Sequence, residues 1–187
     1  MANKGTTIKA ALAEWQEQNK IELSKATKVE LQFRWPPIEK MDNSLSVLTN
    51  CELLSLSTNC IEKINGLANL KNLKILALGR NNIKSLSGLD SLADTLEELW
   101  ISYNYIDKVK GVLGLHKLKV LYMSHNNIES WSEVVKLNTL ESLQDLILKG
   151  NPLPEALGEK AWQTECINKL PKISILDGIP IIRDSDI

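Results

Sequence analysis

Ser124 and His125 adjoin in the sequence, a nucleophile beside a base, and Cys51, Cys60 and Cys166 add three thiols able to attack a carbonyl or bind a metal. None of these assembles into a catalytic pattern. Neighbours on an extended strand point to opposite faces, so Ser124 and His125 are not a nucleophile–base pair. The cysteines are odd in number and have no C-x-x-C spacing or clustered histidines, which predicts neither a disulfide framework nor a zinc site. Cys51 stands where related segments carry leucine and packs as a small hydrophobe. Cys60 and Cys166 read as core or cap residues, and His116 and His125 as surface-loop residues. There is no glycine-rich phosphate loop, H-E-x-x-H, Walker lysine or G-x-S-x-G in the chain. The expectation is a protein that is not an enzyme and takes no metal or cofactor.

What remains is recognition chemistry, and it centres on "LEELWISYNYI". If Leu99 and Ile101 face a core, Trp100 between them faces the other way. The segment recurs. The pattern L-x-x-L-x-L-x-x-N-x-I aligns Cys51-Leu54-Leu56-Asn59-Ile61, Leu73-Leu76-Leu78-Asn81-Ile83, Leu96-Leu99-Ile101-Asn104-Ile106, Leu118-Leu121-Met123-Asn126-Ile128 and Leu143-Leu146-Leu148-Asn151-Leu153, at intervals of 22, 23, 22 and 25 residues. A weaker first unit puts Leu31, Phe33, Ile38 and Met41 at the apolar positions, with Pro36 in place of the asparagine.

Six such units specify an α/β leucine-rich-repeat solenoid. Each L-x-L step is a short strand with its apolar pair inward, and stacked copies form a parallel sheet. Asn59, Asn81, Asn104, Asn126 and Asn151 follow where the chain turns away, and their amides are expected to satisfy backbone groups of their own coil and the next. In the return half apolar residues recur at every third position, as in Ile106, Val109, Val112, Leu115, Leu118 and Leu121. That rhythm suits 3₁₀ turns. The 25-residue unit leaves room for a short helix.

The ends need caps. Ile8, Ala11, Leu12 and Trp15 give an amphipathic helix with Thr6 or Thr7 as N-cap. A second helix is expected from near Pro154 to Pro171, carrying Leu157, Ala161, Trp162, Ile167 and Leu170, after which Ile173 and Leu176 repeat the strand spacing. The division expected is one domain over 1–187: cap helix 1–24, six repeats 25–153, C-terminal cap 154–180 and a frayed tail 181–187.

On the outer sheet face the central column reads Gln32, Ser55, Ala77, Trp100, Tyr122 and Ile147. One flank holds Glu30, Leu53, Ile75, Glu98, Val120 and Asp145, and the other Arg34, Ser57, Gly79, Ser102, Ser124 and Lys149. Strands about 4.7–4.9 Å apart make Trp100, Tyr122 and Ile147 lateral neighbours. A contiguous apolar patch of that kind marks a protein interface. Arg80, Lys84, Lys108 and Lys110 read as a solvated face. With 22 basic and 23 acidic residues the net charge of −1 attracts neither nucleic acid nor an anionic membrane. No apolar run reaches the roughly 18 residues of a membrane span, and the N-terminus lacks the apolar core of a signal peptide, so a soluble intracellular, monomeric chain is expected.

The strings "TTIKAALAEW", "PPIEKMD", "LSLSTNCIEKI", "LEELWISYN", "GNPL" and "LPKISILDGIP" resemble the leucine-rich-repeat light chain family of axonemal outer-arm dynein, from about Thr6 to Pro180. That resemblance implies a non-catalytic light chain in the axoneme of cilia and flagella. It implies binding to an outer-arm dynein heavy chain at its microtubule-binding stalk domain, near tubulin, and modulation of the motor. The family's hydrophobic patch maps onto Ala77, Trp100, Tyr122 and Ile147. The partner-binding set expected here is Leu53, Ser55, Ile75, Ala77, Glu98, Trp100, Val120, Tyr122, Asp145, Ile147 and Lys149. The alternative is a scaffold subunit of the same repeat type that docks a phosphatase or a ribonucleoprotein component.

Overall fold

A computed structural model describes residues 5–183. Seven short strands stack in chain order as a parallel sheet: β1 (Lys28–Glu30), β2 (Leu53–Ser55), β3 (Ile75–Ala77), β4 (Glu98–Trp100), β5 (Val120–Tyr122), β6 (Asp145–Ile147) and β7 (Ile175–Leu176). β8 (Ile179–Pro180) returns antiparallel to β7. The middle residue of each three-residue strand, from Val29 to Leu146, is fully buried and its neighbours are not, apart from Ala77. The inward leucines of successive coils join the period-three residues of the return segments in one continuous core. No coil could bury its apolar side alone, and stacking is what removes it from water.

The return segments contain 3₁₀ turns at 43–47, 90–92 and 110–112. The longest repeat instead holds a one-turn helix, α2 (Trp131–Val134), running into a 3₁₀ turn over 135–139. The three extra residues are accommodated there.

The asparagines fix the coil-to-coil spacing. In each, Oδ1 accepts a backbone N–H of the preceding coil, from Ile38, Ile61, Ile83, Ile106 and Ile128 in turn, at 2.9–3.0 Å. Each Nδ2 donates to one carbonyl of its own coil and one of the preceding coil at 2.8–3.1 Å. The ladder therefore points back toward the N-terminus, not to the next coil as the sequence reading had it.

The first coil differs from expectation in register. Val29 pairs with Leu54 and Glu30 with Ser55, so the inward pair is Val29-Leu31, not Leu31-Phe33. A two-residue offset keeps Leu31 inside but carries Phe33 onto the turn, where it is 80% exposed with φ 56°, matching Thr58 at φ 55° in the next coil. The asparagine's place, three residues after the second inward residue, is held by Arg34 and not Pro36. Its guanidinium pairs with Glu14 at 3.1 Å on α1 (Ile8–Asn19), tying the coil to the cap helix. Thr7 caps that helix, its hydroxyl oxygen accepting from the Ala10 N–H, and Ile8, Ala11, Leu12 and Trp15 are all buried.

At the other end the expected single helix is two, α3 (Pro152–Leu157) and α4 (Glu159–Lys169), broken at Gly158 with φ 76°. The break turns Leu157 and Ala161 outward and leaves Ile167 half-buried, while Trp162, Cys166 and Leu170 face the core. Beyond them Asp177 ends the solenoid. In the inner coils the N–H after each strand donates to a carbonyl of the next strand, as Met123 does to Ile147. Leu148 has no such strand residue, and Asp177 Oδ1 accepts its N–H at 2.7 Å and that of Lys149 at 2.9 Å. Asp177 Oδ2 accepts from Trp162 Nε1 at 2.8 Å. Of the expected tail, residues 184–187 lie outside the described residues. Ile181 packs against the core and Arg183 donates to the Ile173 carbonyl at 2.8 Å, so these two join the cap, while Ile182 between them is 77% exposed.

Candidate functional site: the outer face of the sheet

The strand register sets the face. Ala77, Trp100, Tyr122 and Ile147 lie opposite one another across β3 to β6, and Leu53, Ile75, Glu98, Val120 and Asp145 form the adjoining column across β2 to β6. The central column starts at Glu30, not Gln32, and its flank at Lys28, not Glu30, because of the first-coil register. Arg34 likewise leaves the opposite flank, where Gln32 takes its position.

Trp100 and Tyr122 turn outward and are half-buried. Their rings stack with centroids 6.4 Å apart and planes 18° from parallel. Each polar tip is satisfied within the face: Trp100 Nε1 donates to Glu98 at 3.0 Å and Tyr122 OH to Asp145 at 2.9 Å. Burial, reinforced by the Asp145 carboxylate, pushes the Tyr122 phenol up to about 12, so it stays a donor at neutral pH. The second carboxylate oxygen of Asp145 is buried without a hydrogen-bond partner.

The remaining expected residues divide. Leu53, Ser55, Ile75, Val120 and Ile147 are half-buried and extend the patch, and Lys149 is exposed at its border. Ala77 is 4% exposed and serves as floor more than as contact area. Ser102 and Ser124 are tied together, the Ser124 N–H donating to the Ser102 hydroxyl at 3.1 Å.

One border of the face was not legible as a unit. Beyond the strands' C-terminal ends, Arg80, Tyr103 and His125 occupy equivalent turn positions with φ 56°, 58° and 51°. The Arg80 guanidinium lies 4.2 Å from the Tyr103 ring centre, and the His125 ring stacks on Tyr103 at 4.3 Å. A Cβ on Gly150 in the next coil would meet the His125 ring at 2.4 Å, so glycine lets the ladder close down on the backbone. The signal was recurrence at intervals of 23 and 22 residues, obscured by three different residue types.

Chemistry elsewhere is sparse. Among the described residues no group of three or more His, Cys, Asp or Glu side chains could hold a metal, and no helix is long and apolar enough to cross a membrane. Ser124 is buried, and the exposed His125 sits in a left-handed turn at φ 51° with its ring stacked on Tyr103, so the turn and not strand alternation sets its direction. Cys51 and Cys166 are buried, and burial pushes their thiols up to about 11 and about 12.

Residues 94–136 match the family model described as Leucine Rich repeats (2 copies). An internalin from Listeria monocytogenes superposes with a TM-score of 0.66 at 31% identity, over 82% of this chain and 42% of its own. A leucine-rich-repeat protein of Leptospira interrogans gives a TM-score of 0.66 at 24% identity over 82% of this chain and 37% of its own, a likeness of fold alone. The chain thus spans less than half of either bacterial protein. Relatives of its own length carry one name, Dynein axonemal light chain 1. The Danio rerio protein is 56% identical over 98% of this chain and 96% of its own, and the Homo sapiens protein 55% over 98% and 97%. The Chlamydomonas reinhardtii protein is 49% identical over 97% of this chain and 93% of its own. With identities of 49–56% over 97–98% of its length, the chain belongs to the dynein axonemal light chain 1 family.

Proposed function

We propose that the chain is a non-catalytic dynein light chain of the ciliary or flagellar axoneme that docks through its sheet face on an outer-arm dynein heavy chain, at the microtubule-binding stalk domain, and modulates the motor there. The observation that carries this reading is the row Ala77, Trp100, Tyr122 and Ile147, laid across four paired strands. The aromatic tips already hydrogen-bond to Glu98 and Asp145, so a partner need supply no acceptor for them. Trp100 is already half-buried, so a partner covers only the remainder of the roughly 150–250 Å² that such a side chain can bury, and the gain before association costs is a fraction of the full burial value.

A light chain acting at this place works by binding: it alters which stalk-tip conformations are populated only so far as it binds one better than another. The test is direct binding of the recombinant chain to a recombinant stalk-tip fragment of an outer-arm heavy chain, with Trp100→Ala alongside. Binding by the native chain that Trp100→Ala removes supports the reading. Equal binding by both moves the interface off this face.

A further inference from the structure

The charges bordering the aromatic row are segregated by sign, and they are unlike charges elsewhere on the sheet. At the N-terminal rim of the strands opposite charges alternate and neutralise one another, Glu52 with Lys74 at 3.1 Å and Glu97 with Lys119 at 2.6 Å. Beside the row no such pairing occurs. Glu98 and Asp145 stand on one flank, and Arg80 and Lys149 border the other, none of them in an ion pair among the described residues. The carboxylates nearest Lys149, Asp177 and Glu155, are engaged by the N–H groups of Leu148, Lys149 and Gly150 and the Trp162 indole. The Glu98 and Asp145 carboxylates are fixed by Trp100 and Tyr122. The guanidinium is held against the Tyr103–His125 stack.

We propose that the face recognises an amphipathic helix of polarised charge, basic along one margin and acidic along the other, and so accepts it in one direction along the row only. This rests on the docking reading above and names its partner chemistry. The occupant is a helix because the sheet presents its face, not an edge. The strands spend their backbone groups on one another, and a segment laid on an apolar face must satisfy its own, which a helix does internally. The dimensions agree. Asp145 and Lys149 are four residues apart on one strand and turn, roughly 13 Å of extended chain, against a helix diameter of about 10–12 Å. The row from Ala77 to Ile147 spans three strand spacings, about 14 Å, or between two and three helical turns. Lysine or arginine on the helix meets the Glu98 carboxylate and the negative charge of Asp145, whose second oxygen is buried and unpartnered. Aspartate or glutamate meets Arg80 and Lys149. Turning the helix end for end, with its apolar side still on the sheet, sets like charges together on both margins and is rejected.

The test uses the full chain and a recombinant stalk-tip fragment of an outer-arm heavy chain as probe, with binding followed at low and physiological ionic strength. Glu98→Gln with Asp145→Asn keeps the acceptors for Trp100 and Tyr122 while removing charge, and Arg80→Gln with Lys149→Gln neutralises the other margin. Each pair is expected to weaken binding about three- to tenfold, chiefly in association rate, and to flatten its salt dependence. Transposing all four charges (Glu98→Lys, Asp145→Lys, Arg80→Glu, Lys149→Glu) conserves net charge and is expected to bind more weakly than either neutral pair. If the native chain binds and Trp100→Ala removes binding, yet the transposed chain binds as well as the native one or only one margin matters, the polarity is overturned and the docking face stands. If the native chain does not bind the fragment, both fall.

Discussion

Trp100 and Tyr122 stack across β4 and β5 while each hands its one polar hydrogen to a carboxylate a column away, Glu98 and Asp145 respectively. The pair thus presents ring faces and edges outward with their donors already satisfied. An aromatic surface prepared in this way loses little on desolvation, because no donor has to give up water without a replacement.

Trp100→Ala removes that surface with little damage beneath it. The folded chain loses one stacked contact and one hydrogen bond at a half-buried site, together worth about 1–2 kcal/mol, so thermal unfolding moves down by only a few degrees. Binding to the heavy-chain fragment should weaken by about two orders of magnitude or more, as for a central aromatic anchor. Calorimetry and titration on the same preparation separate the two effects.

Asn126 makes the opposite case. Its side chain accepts from the Ile106 N–H at 3.0 Å and donates to the Ile101 and Met123 carbonyls at 3.0 and 3.1 Å, all buried. Asn126→Ala leaves those groups without partners and should cost about 2–4 kcal/mol in urea unfolding. Asn126→Asp keeps the acceptor and loses the donor, so it should fall below wild type as well.

The inner coils were readable because their leucines, asparagines and period-three residues each answer one local demand that repeats. The ends were not. At the first coil the demand is met once, by Arg34 reaching Glu14 on the cap helix, and a lone arginine gives no periodic signal. Trp100 and Tyr122 were found from parity alone, since an outward position follows from the inward ones. Parity says nothing of Glu98 holding the indole, or of Arg80, Tyr103 and His125 forming a ladder, because those contacts depend on rotamers set across neighbouring coils.

Asp177 gives the C-terminal cap its own test. Asp177→Ala frees the Leu148 and Lys149 N–H groups and the Trp162 indole together. The expected cost is about 2–4 kcal/mol. Hydrogen exchange should locate it: the Leu148 amide loses protection while the Leu78 and Ile101 amides, bonded to inner strands, keep theirs. Uniform loss along the solenoid would mean that the last coil unfolds only with the rest.

Alkaline pH should destabilise the fold through groups that the native state keeps protonated. Burial raises Cys51 to about 11 and Cys166 to about 12, and burial with the Asp145 hydrogen bond raises Tyr122 to about 12. In the unfolded chain the same thiols lose protons near pH ~8.5–9 and the phenol near ~10. Below those values both states hold the protons and stability is full. Above them the unfolded chain releases protons that the folded chain retains, so stability declines as pH climbs toward the native values. Urea midpoints should hold steady up to about pH 8 and fall by about pH 10.5. Tyr122→Phe should make the fall shallower, since phenylalanine has nothing to titrate. Native thiol labelling at neutral pH checks the cause separately: the partly exposed Cys60 should react first, and Cys51 and Cys166 only when urea opens the chain. Rapid native labelling of either buried thiol would contradict the burial on which this pH dependence rests.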